Sequence, residues 1–361
     1  MSQNSPNKVA LKKFFKNRLA VLSFVFIVAL SLLSIFAYIV SPDHTHGANE
    51  QFPKLAENKP GFSIKIVHLL NNEKDNSSFL KKIIGGYERN YTILPVDSIN
   101  ELTNEIIVYP YKGVKYSVGK DLLEKNKNSY VFNKTFYLGT DQLGRDILSR
   151  LILGSRVSLM VGFFAVILSS FIGIVAGGIA GYYRGLVDKI ILWKMSVFWS
   201  IPTILLAMSL FVGLKSYFKS NMWLIFIAIG ITMWVSMARI VRGQVLAYKN
   251  IQFVEAAKSL SYSDFRIIFK HILPNLVGPI VVVMASNFAN AILVESGLSF
   301  LGMGVQAPMP SWGGMLSEYK NFIGTNLSFL AVVPGVAIML LVLSFNLVGN
   351  GIRDALDIKN T

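Results

Sequence analysis

The chain has 361 residues, of which 53% are hydrophobic and only 15% charged, with a mean hydropathy of +0.50. Soluble domains are usually about 45–50% apolar and about 25% charged, so this composition excludes an ordinary water-soluble enzyme, and the absence of cysteine excludes a disulfide framework or a thiolate metal site. The formal net charge of +15 suits the basic cytoplasmic loops of a membrane protein better than it suits nucleic-acid binding.

In chain order, residues 1–18 are basic (Lys8, Lys12, Lys13, Lys16, Arg18) and read as a cytoplasmic N-terminus. Residues 19–40 are uncharged, and about 20 apolar residues suffice for a helix to cross the hydrocarbon core. No small-residue cleavage site follows, so this is an uncleaved first transmembrane helix. The polar stretch 41–137 reads as an inserted extracytoplasmic α+β subdomain. Strands are expected at 63–70, 105–109 and 114–118, with a turn at Pro110-Tyr111-Lys112-Gly113 and a short amphipathic piece at 120–127. Motif-rich residues 138–156 precede the second span. Apolar stretches at 157–182, 190–214, 222–238, 277–295 and 328–349 bring the total to six predicted helices in an all-α membrane protein. Residues 157–350 form the transmembrane domain proper, and 351–361 are a C-terminal tail.

The basic residues set the orientation. With the N-terminus inside, Arg184, Lys189, Arg239, Arg242, Lys249, Lys258, Arg266, Lys270, Arg353 and Lys359 all fall inside, whereas the short outer loops hold Lys215, Lys219 and Lys320. Both termini are then cytoplasmic. Ionisable residues in the spans are few: Lys194 near one helix end and Glu295 at the outer end of the fifth span. Transporters driven by protons or ions keep acidic groups at mid-membrane, because a charge there is costly. The sequence therefore points to an external source of energy. In the second span Gly173, Gly177 and Gly181 form a small-residue ridge suited to close helix packing.

The segment between the fourth and fifth spans reads Phe253-Val254-Glu255-Ala256-Ala257-Lys258-Ser259-Leu260-Ser261 and continues to Pro274-Asn275. Phe253, Ala257 and Leu260 share a helical face, Glu255 and Lys258 pair at i, i+3, and Ser263 suits the N-cap of a second helix. The residue before Pro274 is biased away from helix. A short helix, a turn and a second helix result. Such a unit suits docking into a partner's groove and equally suits internal packing.

This segment resembles the EAA loop of permeases in binding-protein-dependent ABC importers. Four more blocks resemble the dipeptide/oligopeptide branch of that family: 138–146 (LGTDQLGRD), 154–159 (GSRVSL), 295–313 (from ESGLSFLG to PSWG) and 346–357 (NLVGNGIRDALD). The resemblance implies a type I importer permease fold and a translocation pathway for di- or oligopeptides. It also implies a homologous second permease subunit, two cytoplasmic ATP-binding subunits that carry ATP and magnesium, an extracytoplasmic solute-binding protein, and residence in a bacterial inner membrane. Phe253, Glu255, Ala256, Ala257, Leu260 and Ser261 would couple to the ATPase. No cofactor, metal or catalytic residue is expected on this chain. Ser261 stands where the family has glycine, which matters if the turn is left-handed, since that conformation costs other residues about 1–2 kcal/mol.

Ser286, Asn287 and Asn290 are candidates for lining the substrate pathway, with interhelical hydrogen bonding as the other reading. The same machinery importing nickel or another small solute is the alternative. A stand-alone secondary transporter fits poorly with uncharged spans. Other features are discounted. Gly113–Lys120 has the wrong spacing for a phosphate loop, His44 and His46 alone do not make a metal site, and Asn76-Ser77-Ser78 matches a glycosylation sequon only by its three residues.

Overall fold

The computed structural model describes residues 6–70, 78–87, 91–124, 130–218 and 221–356. Helix α1 (Pro6–Lys16) leads into α2 (Arg18–Ile35), whose first turn is capped by the Asn17 side chain accepting from the Ala20 amide at 3.2 Å. After a break at Phe36, α3 (Ala37–Val40) completes the first apolar segment.

The insertion is a five-stranded antiparallel sheet with strand order β4-β3-β2-β1-β5. Its strands are β1 (Phe62–Leu70), β2 (Tyr91–Glu101), β3 (Glu105–Pro110), β4 (Tyr116–Gly119) and β5 (Val131–Phe136), with helix α4 (Phe79–Gly85) between β1 and β2. The expected strands at 63–70, 105–109 and 114–118 fall on β1, β3 and β4. Strands β2 and β5 and helix α4 were not expected. Pro95 argues against a central strand because it donates no ladder bond, yet β2 accommodates it beside a register shift between Val96 and Ser98. Of the amphipathic piece at 120–127, Lys120–Leu122 is a 3-10 turn, and 125–127 lie outside the described residues. So do Asn76 and Ser77 of the sequon.

The insertion is stitched to the helices that follow it. The Phe52 amide donates to the Leu143 carbonyl at 3.1 Å, and the Thr140 amide to the Asn58 carbonyl at 3.0 Å. Gly144, at φ +74°, passes so close to Phe52 that a Cβ would lie 1.9 Å from the Phe52 carbonyl oxygen. Only glycine fits there. Arg156 is buried and donates to four carbonyls, those of Ser34 and Ile35 at the end of α2 and of Ile83 and Ile84 at the end of α4. One guanidinium thus binds the terminal carbonyls of two helices, a place where intrahelical donors run out.

Helix α5 (Ile147–Tyr183) starts well before the expected 157, so most of the 138–156 block is helical. Asp146 supplies the cap, accepting from the Ser149 amide at 2.9 Å. The apolar stretch at 190–214 is not one straight helix. It is α6 (Gly185–Ser200) and α7 (Thr203–Leu214), bent by 95°. Pro202 forces the preceding Ile201 into extended backbone, φ −103° and ψ 130°. Helices α8 (Asn221–Thr232) and α9 (Trp234–Tyr248) carry the fourth segment past the expected end at 238. Next come α10 (Gln252–Ser259) and α11 (Asp264–Arg266), which leads into α12 (Val277–Phe300). The expected break before Pro274 is absent. A π-helical turn at Ile267–Ile272 and a 3-10 turn at Leu273–Leu276 absorb the proline's missing donor and its ring. Helix α13 (Trp312–Tyr319) and then α14 (Phe329–Leu356) complete the chain, so 351–356 of the expected tail are helical.

Among the described residues five helical segments are long and apolar enough to cross a membrane, and the α6–α7 pair makes a sixth if it counts as one span. The glycine ridge is a packing device. A Cβ at Gly173 would lie 2.6 Å from Met237 Cβ, at Gly177 2.4 Å from the Ala238 carbonyl oxygen, and at Gly181 2.8 Å from the Arg242 carbonyl oxygen. Helices α5 and α9 meet backbone to backbone along it.

Candidate functional site

Three places concentrate exposed, polar or charged chemistry on this scaffold. The first is α10 and the turn after it. Val254 and Ala257 are buried against Tyr182 of α5, Val241 and Val245 of α9, and Ile267 and Ile268 of the π turn. Phe253, Glu255, Ala256, Leu260 and Ser261 face outward, Leu260 at 66% exposure. Ala257 was expected at the outer contact and instead anchors the helix. In so short a helix the 253/257/260 and 254/257 stripes overlap, and the 254/257 stripe is the one that packs inward, leaving the larger Phe253 and Leu260 exposed.

The turn that ends α10 is a Schellman motif. The Tyr262 amide donates to the Ala257 carbonyl at 3.2 Å and the Ser261 amide to the Lys258 carbonyl at 2.8 Å, with Ser261 at φ 56°. The left-handed conformation is present, held by a serine at a position where glycine carries no steric cost. Ser263 occupies the N-cap position of α11 without a side-chain capping bond. The unit is tied down by Tyr182, whose hydroxyl donates to Asp264 Oδ1 at 2.7 Å, and by Lys249, which donates to the Tyr182 carbonyl. Any push on the exposed face of α10 therefore reaches α5, α9 and the base of α12 together.

The second place is a cavity of about 490 Å³ between the α6–α7 bend, α9 and α12. Asn287 and Asn290 line it with Thr203, Thr232 and Ser236, against apolar walls that include Phe198, Trp199 and Val294. Ser286 is half-buried and lies outside the lining. Asn287 serves both readings at once. Its Oδ1 accepts from Ser236 at 3.0 Å across the α9–α12 contact, while its buried Nδ2 has no partner among the described residues. Uncharged amides and hydroxyls on an apolar wall can hydrogen-bond a solute without selecting its charge.

The third is a charge cluster at the N-terminus of α5. The carboxylate of Asp141 is fully buried and accepts from the amides of Leu143 and Arg145, each at 2.9 Å, from Arg145 Nε at 2.6 Å and from the Tyr319 hydroxyl at 3.0 Å. Glu318 bridges Arg145 and Arg150, the latter at 2.8 Å. Burial opposes the charge on Arg145, and Asp141 and Glu318 more than offset it, so its pKa is raised. Arg150, Glu318 and Tyr319 were missed in the sequence because their partners lie about 170 residues away along the chain. Glu295 lies in the last turns of α12, where it was expected. It is fully buried, with one oxygen accepting from Ser299 at 2.7 Å. His44 and His46 bond the carbonyls of Tyr38 and Gly85.

A bundle of apolar helices with amides and hydroxyls set into an apolar-walled cavity between α6–α7, α9 and α12, and an exposed helical turn rooted on three of its spans, defines a membrane-embedded transport component. The chain belongs to the family described as binding-protein-dependent transport system inner membrane component, whose model matches residues 173–360. The N-terminal transmembrane domain of oligopeptide transport permease C matches residues 5–60. A dipeptide transport system permease protein of Alkalihalophilus pseudofirmus is 43% identical over 223 residues, 62% of this chain and 72% of that one. A glutathione transport system permease protein of Pectobacterium atrosepticum is 42% identical with the same coverage. An oligopeptide transport system permease protein of Bacillus subtilis is 40% identical over 227 residues, 63% of this chain and 73% of that one.

Proposed function

We propose that this chain is one of a pair of permease subunits in an ATP-driven importer of the bacterial inner membrane, with short peptides as cargo. The observation that supports it best is the α10 turn: an exposed face, rooted on α5, α9 and α12, two of which also bound the cavity further along their length. Of two partner ATPases, which carry ATP and magnesium, one docks on Phe253, Glu255, Ala256 and Leu260. Their closure is transmitted through Ala257 and Tyr182 to the spans. Such a partner shifts the equilibrium between two conformations only to the extent that it binds them differently. The chain itself supplies no catalytic group. A homologous permease subunit completes the pathway, and a solute-binding protein delivers cargo to the outer face.

Peptide cargo is supported by the three relatives, whose names specify dipeptide, oligopeptide and glutathione. An amino-acid auxotroph lacking this gene should stop growing on di- to oligopeptides and keep growing on the free amino acid. Intact peptide use with loss of nickel-dependent enzyme activity would move the cargo to the metal.

In the same reading both termini are cytoplasmic and the sheet insertion is outside. Val114 is 86% exposed in the β3–β4 connection and the native chain has no cysteine. A Val114→Cys variant should react with an impermeant thiol reagent in intact spheroplasts. Reaction only after permeabilisation would invert the topology.

A further inference from the structure

Helix α9 carries two arginines on successive turns, and they are treated differently. Arg242 is neutralised by Asp188 of α6, with Nε and Nη2 at 2.6 and 2.7 Å from its two carboxylate oxygens. Arg239 is exposed and forms no ion pair among the described residues. Its guanidinium instead lies 3.3 Å from the ring centroid of Trp199 at the end of α6. Stacking of this kind fixes the plane of the guanidinium and leaves its edge N–H donors free. A guanidinium held in this way, with no carboxylate beside it, is available to an anionic group.

Its place in the fold indicates which function. Val235 and Ser236 line the α9–α12 cavity, and Arg239 follows them by four and three residues, on the same helix face one turn further along. Trp199, on which it rests, is itself a cavity wall. The cavity thus combines amide and hydroxyl groups, including the unpartnered Nδ2 of Asn287, with one fixed cation at its edge. We propose that Arg239 is a carboxylate-recognition subsite of the translocation cavity, engaging the C-terminal carboxylate of a peptide while Asn287 and Asn290 hydrogen-bond its backbone. This rests on the peptide reading above.

The lack of cysteine allows a direct test in the assembled importer. With Leu293→Cys as reporter, an exposed cavity-wall position outside the proposed peptide contacts, read on this chain alone, the rates of modification by an anionic sulfonatoethyl and a cationic trimethylammonioethyl thiosulfonate are compared. Replacing Arg239 by methionine should lower the anion-to-cation rate ratio at least about ten-fold, because a unit charge acting in opposite senses on the two reagents at an effective dielectric near 20 has that effect on the ratio even from about 24 Å. Arg239→Lys should keep most of the preference, and a neutral reagent should react equally in all three backgrounds, which shows that the cavity is intact. An unchanged ratio in Arg239→Met overturns the subsite. A second arm measures protection of the reporter thiol by a tripeptide and by its C-terminal amide. Better protection by the free acid, lost in Arg239→Met, supports the assignment, and equal protection by acid and amide overturns it. If neither peptide protects while the charge ratio responds, the cation is real and the peptide reading has failed.

Discussion

Replacing Leu260 by arginine should abolish transport while leaving the subunit folded in the membrane. Leu260 closes α10 at 66% exposure, and Phe253 on the same helix is 38% exposed. Phe265 and Phe269, whose ring centroids lie 4.3 Å apart, extend the exposed apolar surface past the turn at 70% and 41% exposure. Covering a leucine fully stabilises a contact by about 1.5–3 kcal/mol, and forcing a charge into the same contact costs more than that gain. A loss of at least about 100-fold in ATPase association is expected, because each 1.4 kcal/mol is a factor of about ten. Ala257→Arg would also stop transport, for a different reason. Ala257 is 4% exposed among Tyr182, Val241 and Ile267, so that variant breaks the packing of α10 itself and lowers the amount of folded subunit. Co-purification of the ATPase with each variant, together with its membrane abundance, separates the two cases. Normal ATPase recovery and normal uptake with Leu260→Arg would move the docking face elsewhere.

The contrast between these two residues shows what was legible in the sequence. The existence of a helix, a turn and a second helix at 252–272 was readable, as was the left-handed demand at Ser261. Which side of an eight-residue helix is buried was not, because that depends on Tyr182, Val241 and Ile267 arriving from three other elements. The same holds for the spans. Apolar runs located all of them, but their ends were set by polar groups satisfied inside the protein. Ser149 and Arg150 extend α5 because Asp146 and Glu318 receive them. Arg239 and Arg242 extend α9 because Trp199 and Asp188 do the same. The bend at Pro202 was visible as a proline in the sequence and was passed over, since hydropathy continues across it. In the insertion, alternation revealed β1 and β3, whereas β2 was hidden by Pro95 and its bulge. Of the pathway candidates, Asn287 and Asn290 share a cavity and Ser286 does not. That distinction requires the rotation of α12, which the sequence does not specify.

A Gly177→Val substitution should have the largest effect on stability of any single change in the spans, and it should abolish transport by preventing the fold. Gly177 is buried in α5, and any Cβ built there lies 2.4 Å from the Ala238 carbonyl oxygen and 3.0 Å from the Ala238 Cα. These are backbone atoms of α9, so no rotamer change can relieve the contact. Overpacking that side chains can absorb costs about 1–3 kcal/mol; here the helices themselves must separate, and the cost exceeds that range. The neighbouring ridge positions cannot compensate, since Gly173 and Gly181 meet Trp234 and Arg242 carbonyls at 2.8 Å. Separation of α5 from α9 would also pull Val241 and Val245 away from Val254 and Ala257, loosening the root of the exposed turn. Gly178, one residue along on a different face, has only Ile268 Cγ2 within reach at 3.7 Å, so Gly178→Ala should be tolerated. The measurement is the amount of each variant recovered as a monodisperse complex from membranes, with proteolytic resistance alongside it. Equal recovery and equal resistance for Gly177→Val and Gly178→Ala would show that the ridge serves flexibility, and the backbone-to-backbone contact between α5 and α9 would then not be what holds the transmembrane domain together.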